Sequence, residues 1–179
     1  MLNRPYPIGQ DVGGTKVELI ALDPGGAELF RHRIATPQGD YGATLDAIVE
    51  LVREAERKLD QRATIGIGTP GTLSTASGLI KNSNSTCLNG RPLEADLEAR
   101  LGREIRIEND ANCSALSEAV DGAAAGAQLV FGVILGTGVG GGIIVDGRIV
   151  TGVNAIAGEW GHNPLPVRGA SEPPGPAPY

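Results

Sequence analysis

Cysteine is nearly missing from this 179-residue chain: only Cys87 and Cys113 occur, too far apart for a CxxC clip. With no signal-peptide pattern at the start, the pair reads as reduced thiols in a cytoplasmic protein. Long apolar runs are missing too. The longest, around Leu129 to Leu135, falls far short of the roughly 20 residues a bilayer span needs, so no membrane segment is expected. There is no Lys/Arg cluster, and fifteen basic against twenty-one acidic residues give a net charge of −6, which argues against a nucleic-acid surface. Aromatic residues are scarce, whereas glycine reaches 27. The chain is long enough for a real core, so the informative question is where those glycines sit.

A short apolar segment, Ile8 to Asp11, runs into Val12-Gly13-Gly14-Thr15-Lys16. Val17 to Leu22 has strand character, Asp23-Pro24-Gly25-Gly26 is a strong turn signal, and Ala27 to Ile34 can return as a third strand. Tyr41 to Leu59 follows helical spacing, with Leu45, Ile48, Val49, Val52, Ala55 and Leu59 on one face. Thr64 to Gly68 reads as a buried strand, and residues 72–91 as loop with one short strand at Leu79-Ile80. Pro92 opens a second helix that Gly102 closes. A strand over Glu104 to Ile107 precedes Asn109-Asp110, cap-type residues for a third helix over roughly Ala111 to Val120. Leu129 to Leu135 is a strand leading into the glycine run 136–142, and Asp146-Gly147 is the best hairpin signal in the chain. From Val167 the composition turns to Pro, Gly, Ala and Ser with no apolar period, which predicts a disordered or loosely packed tail.

Strand, glycine turn with threonine, strand, tight turn, strand describes residues 8–34 and again residues 129–150. That duplication predicts two related domains facing each other, each offering a glycine loop to a shared cleft. Gly136 to Gly141 formally matches G-x-G-x-x-G, with Glu159 near the expected place of a ribose-binding acid. The dinucleotide reading fails because these glycines run into a hairpin and open no helix; no stretch fits a Walker loop either. A glycine turn between strands can still bind phosphate, since glycine lets the backbone approach an anion and successive N–H groups form a positive nest. Gly13, Gly14, Gly136, Gly138, Gly140 and Gly141 would supply that backbone, Thr15 and Thr137 hydroxyl donors, and Lys16 a cation. Asp11 could hold Mg²⁺ through water. Two ordinary tight turns are the plain alternative.

Glu108-Asn109-Asp110-Ala111-Asn112 is the second constellation. A carboxylate at a helix start meets positive dipole and N–H groups, and one at a cleft can accept a hydroxyl proton during phosphoryl transfer. Spacing alone favours the plainer role of N-cap for Asn109 or Asp110. Asn84, Asn109 and Glu159 suit paired hydrogen bonds to a polyol, although each singly reads as a loop or capping residue. His162 alone makes no metal site, because zinc needs about four ligands.

Taken together, DVGGTK at 11–16, GTPG at 68–71, ENDANC at 108–113, LGTGVGGG at 135–142 and GEWGHNPLP at 158–166 resemble the ROK family of sugar kinases. Within it, NSNSTCLNG at 82–90 and SEAVDGAAAGAQ at 117–128 are similar to bacterial fructokinases of the mannokinase type, with N-acetylglucosamine kinases as near relatives. The resemblance implies an α/β, actin-like ATPase fold built of ribonuclease-H-like lobes. The first lobe would be complete over residues 1–108, the second only begun over 109–166, and the Pro/Gly-rich stretch 167–179 has no counterpart in that family. It further implies Asp110 as catalytic base and Gly71, Asn84, Asn109, Glu159 and His162 as sugar contacts. The loops at 11–16 and 136–142 would hold the phosphates of ATP with Mg²⁺. The implied reaction is phosphorylation of a hexose, fructose foremost, at its C6 hydroxyl, and a homodimer is within the family's habits.

Two departures stand out. Gln10 occupies a position that is usually apolar in that family, which places a polar side chain beside the first glycine loop. The chain also ends before the cysteine cluster that joins the histidine in binding Zn²⁺ there; Cys87 and Cys113 do not match those positions, so His162 is expected to be an orphaned ligand. A truncated hexose kinase is therefore the leading expectation. The alternatives are a non-catalytic sugar-binding remnant, an N-acetylglucosamine or glucose kinase of the same family, and the repressor branch, whose winged helix would precede the first glycine loop.

Overall fold

The structure, a computed structural model, describes residues 5–135 and 139–161. It divides into two compact units, Met1–Asp110 and Ala111–Tyr179. The first opens with an antiparallel meander, β1 (Pro7–Val12), β2 (Lys16–Leu22) and β3 (Glu28–Ala35). Alternation sends Ile8, Gln10 and Val12 of β1 and Val17, Leu19 and Ala21 of β2 inward. The β2–β3 turn is held by Asp23, whose Oδ1 accepts from the amides of Gly25 and Ala27, each at 2.8 Å.

Helix α1 (Tyr41–Leu59) begins where Asp40 accepts from the Ala43 amide at 3.0 Å, and ends at Asp60 in the left-handed region. Its apolar stripe, Leu45, Ile48, Val49, Val52 and Ala55, is buried with the inward residues of the sheet. The helix carries the chain across to β4 (Thr64–Thr69), which lies parallel to β1. A two-stranded ribbon, β5 (Thr72–Leu73) and β6 (Ile80–Lys81), a single 3₁₀ turn (Thr86–Leu88) and α2 (Leu93–Leu101) follow. Strand β7 (Arg106–Asn109) then pairs parallel to β4, completing the order β3-β2-β1-β4-β7.

Gln10 departs from the expectation that it lies beside the glycine loop. Period-2 alternation turns its side chain into the core, where Nε2 donates to the carbonyl of Ile48 in α1 at 3.0 Å. The third strand of the parallel set also differs, running over Arg106–Asn109 where the sequence predicts Glu104 to Ile107. Pairing with β4 sets it, because Arg-Ile-Glu-Asn carries no apolar alternation of its own.

In the second unit, α3 (which starts at Asp110 and runs to Val120) is followed by β8 (Leu129–Leu135), β9 (Val139–Val145) and β10 (Arg148–Ile149) in the order β10-β9-β8. The meander of the first unit thus recurs, as the repeated sequence pattern predicts. Asp146 and Gly147 take φ of 48° and 72° at the β9–β10 turn, the left-handed pair a tight hairpin needs. The glycine run differs from the loop expected of it: Gly140, Gly141 and Gly142 lie in β9, opposite Ile134, Val133 and Gly132 of β8. Packing explains the glycines there. A Cβ on Gly132 would sit 2.5 Å from that of Ala115, and one on Gly142 would sit 2.7 Å from Asn112 Oδ1, so α3 can lie this close only on a bare backbone. Gly136, Thr137, Gly138, His162 and the Pro/Gly-rich stretch lie outside the described residues. Among the described residues no helix is long and apolar enough to cross a membrane.

Candidate active site

Three parallel strands end at the same edge of the first sheet. Asp11 of β1, Gly68 of β4 and Glu108 of β7 stand in one row, and Thr69 stands beside Asn109 in the next. The segments leaving β1, β4 and β7 carry Gly13-Gly14, Gly71 and Asp110 respectively. Open α/β sheets bind ligands at this end, where the strands stop and their loops diverge.

Gly71 and Asn109 are brought into direct contact: the Asn109 side-chain amide donates to the Gly71 carbonyl at 2.9 Å. The same nitrogen lies 3.1 Å from Oδ1 of Asp110, the exposed first residue of α3. Asn109 is therefore the last residue of β7, directly ahead of α3, and its side chain ties the turn after β4 to the start of that helix. Gly71 has φ of 81°, and a Cβ there would lie 2.5 Å from the Lys81 carbonyl oxygen and 2.8 Å from the Ser83 nitrogen. Only glycine lets the turn after β4 press against the start of the loop that carries Asn84.

That loop is closed by one side chain. Asn89 Oδ1 accepts from the Ser83 amide and its Nδ2 donates to the Ser83 carbonyl, both at 2.9 Å, while Ser83 Oγ accepts from the Ser85 amide at 3.1 Å. Asn84 lines a cavity of about 300 Å³ together with Gly13, Gly14, Thr36, Gln38 and Cys87. The expected sugar residue and the first glycine loop thus share one concavity.

In the glycine loop the Gly13 amide donates to the Lys16 carbonyl at 2.9 Å, so it serves the turn itself. The carbonyls of Gly13, Gly14 and Thr15 all accept from the segment after β3: from Thr36 Oγ1 at 2.7 Å, Gln38 Nε2 at 3.3 Å and the Thr36 amide at 3.1 Å. Thr15 and Lys16 are exposed. Partial burial pushes the Asp11 carboxyl above its ordinary value and Glu18 adds to this, while Lys16 and Arg33 oppose it. One carboxylate beside a diglycine loop is compatible with Mg²⁺, which takes one or two protein carboxylates and completes its shell with other oxygen ligands and water.

The second unit places Glu159 at its surface, with Oε1 accepting from the Gly161 amide at 3.0 Å. Trp160 Nε1 donates to the Gly140 carbonyl at 3.1 Å, and a Cβ on Gly141 would meet the Gly158 carbonyl at 2.7 Å. Gly140 and Gly141 therefore seat the segment that carries Glu159. His162, the residue expected to face zinc, lies outside the described residues, and among the described residues no group of three or more His, Cys, Asp or Glu could hold a metal ion.

A model of the ROK family matches residues 7–175. The chain belongs to the ROK family. Among ROK relatives, an N-acetyl-D-glucosamine kinase of Escherichia coli O6:H1 is 49% identical over 159 residues, which cover 89% of this chain and 52% of that one. The ROK hexokinase of Thermus thermophilus superposes with a TM-score of 0.78 at 35% identity, over 89% of this chain and 53% of the other. A ROK glucokinase from Streptomyces griseus, solved with glucose and AMPPNP, gives 0.75 at 33% identity over 88% and 50%. The fold is thus the actin-like ATPase fold of ROK structures, and the chain spans about half the length of the curated relatives it matches. None of these three is a fructokinase, so the fructose expectation gains no support from them. Thr36 and Gln38 are not singled out by the sequence, because their contacts join segments 23 and 24 residues apart; Asn89 is missed too, although its partner Ser83 is only six residues away.

Proposed function

We propose that this chain carries the acceptor and first phosphate-loop residues of an ATP-dependent hexose kinase, with Asp110 as general base. The observation that supports it most is the shared edge of β1, β4 and β7, where a diglycine loop, Gly71, Asn109 and an exposed Asp110 follow three adjacent parallel strands. In this reading the C6 hydroxyl oxygen attacks the γ-phosphorus of ATP. An O–P bond forms, the bond to the β,γ-bridging oxygen breaks, ADP leaves, and the hydroxyl proton passes to the Asp110 carboxylate. Asn109 orients that carboxylate, Asn84, Gly71, Glu159 and His162 contact the sugar, and the Gly14 and Thr15 amides with Lys16 face phosphate oxygens. Mg²⁺, held through Asp11, would offset charge on the transferred phosphoryl group.

N-acetyl-D-glucosamine is the acceptor we favour, since relatives at 49% and 48% identity bear that name. Fructose, the sugar to which the segment 82–90 points, is the competing acceptor. A coupled ADP-release assay over N-acetylglucosamine, glucose, mannose and fructose decides between them: the highest kcat/KM falls on N-acetylglucosamine if the reading holds. Sugar binding by calorimetry with no turnover on any of the four would support a non-catalytic sugar-binding protein instead.

A further inference from the structure

We propose that Thr36 and Gln38 are positioning residues that fix the peptide planes of the first glycine loop, so that amides and not carbonyls are presented to phosphate. The inference rests on the kinase reading above and concerns how its phosphate loop is kept competent.

Three consecutive carbonyls, those of Gly13, Gly14 and Thr15, are drawn to one side by donors of the segment that follows β3. A trans peptide is planar, with its C=O and the next N–H pointing in opposite directions. Pulling the Gly13 carbonyl towards Thr36 therefore turns the Gly14 amide the other way, and pulling the Gly14 carbonyl towards Gln38 does the same for the Thr15 amide. Glycine leaves this stretch little steric preference of its own, so without the tethers a plane can rotate and aim a carbonyl where a phosphate oxygen belongs. Two partial negative charges would then face each other in place of a hydrogen bond.

The tethers are themselves anchored. Thr36 directly follows β3, Pro37 has a fixed φ, and Gly39 at φ of 74° leads into Asp40, the N-cap of α1. A helix end packed on the core thus holds the segment that holds the loop. The Thr36 hydroxyl makes the shortest of the three contacts, 2.7 Å, and is the best single handle.

The test uses the full chain, its Thr36→Val and Thr36→Ser variants, and Mg·AMPPNP as probe in calorimetry. Valine keeps the shape of threonine and removes the hydroxyl; serine keeps the hydroxyl. Thr36→Val is expected to weaken AMPPNP binding about tenfold, and Thr36→Ser to stay within about threefold of wild type. N-acetylglucosamine affinity and melting temperature should hold in both. In NMR spectra of the wild type the Gly14 and Thr15 amides should shift on adding AMPPNP, and in Thr36→Val they should broaden from microsecond-to-millisecond exchange. Equal AMPPNP affinity in wild type and Thr36→Val overturns the proposal and leaves the kinase reading standing. So does a Thr36→Ser variant as weak as Thr36→Val, or a parallel loss of sugar binding and melting temperature, which marks a purely structural residue. A wild-type chain that binds sugar and no AMPPNP overturns the kinase reading, and this inference with it.

Discussion

The side-chain amide of Asn109 donates to the backbone carbonyl of Gly71 at 2.9 Å, joining the end of β7 to the turn after β4. Two parallel strands are thereby locked at the edge where Asp110 emerges. Gly71 itself takes a positive φ and leaves no room for a Cβ against the backbone of Lys81 and Ser83.

Gly71→Ala is expected to destabilise the chain by at least about 3 kcal/mol, since left-handed strain is joined by overlap with backbone. Gly78→Ala provides the control: φ there is 68° with no atom within 4 Å of a Cβ. Strain alone should then cost about 1 kcal/mol. Urea denaturation of both variants gives the comparison, and equal costs would contradict the packing described for Gly71.

Gln10 offers a gain in stability. Its Nε2 donates to the Ile48 carbonyl, but its Oε1 is buried with no hydrogen-bond partner among the described residues. Gln10→Met keeps the length of the side chain and removes the orphaned acceptor, and should stabilise the chain by about 1 kcal/mol. The measurement is the denaturation midpoint at unchanged m-value; a lower midpoint would show that the bond to Ile48 outweighs the unsatisfied oxygen.

Asn89 closes the Asn84 loop through both atoms of its amide. Asn89→Ala should raise the dissociation constant for N-acetylglucosamine about tenfold while leaving AMPPNP binding within about twofold. Calorimetry with each ligand separates the two effects. Unchanged sugar affinity would remove Asn84 from the acceptor contacts.

Asp11 links stability to pH in the sense opposite to a salt-bridged carboxylate. Its folded value is raised, chiefly by partial burial, so the folded state holds the proton more tightly than the unfolded chain. The stability this group contributes is present below the unfolded value and is lost as pH rises through the folded one. Asp11→Asn should therefore melt at or above the wild-type temperature at pH 7, with the advantage shrinking as pH falls through the carboxylate range, while Mg·AMPPNP binding weakens. A variant that melts lower at pH 7 than at pH 4, each relative to wild type, would reverse the assignment.

Much of this architecture is legible because local and global signals agree. Tyr41–Leu59 is read to the residue, as its apolar stripe is both periodic and buried, and Asp60 ends it in a left-handed cap. Asp146-Gly147 is equally plain, since a two-residue turn needs that backbone. The glycines of β9 are not legible in this way. Gly141 and Gly142 stand in a strand because a helix and the 158–161 segment press on it, a demand that comes from partners more than fifteen residues away. Asn109 reads locally as a cap, whereas the bond from its amide to Gly71 depends on its place beside Thr69 in the sheet, which no local pattern shows. The tethers of the diglycine loop escape notice for the same reason: Thr36 meets Gly13 across the meander, where no spacing rule reaches.

The most direct test of the central claim is ADP release from ATP and N-acetylglucosamine by this chain and by its Asp110→Asn variant, with both ligands' affinities measured alongside. The kinase account predicts turnover by the wild type, a fall of about 10²- to 10⁴-fold in kcat for the variant, and affinities within about threefold of wild type. Turnover by Asp110→Asn within about tenfold of wild type, or a wild-type chain that binds both ligands and releases no ADP, would contradict it.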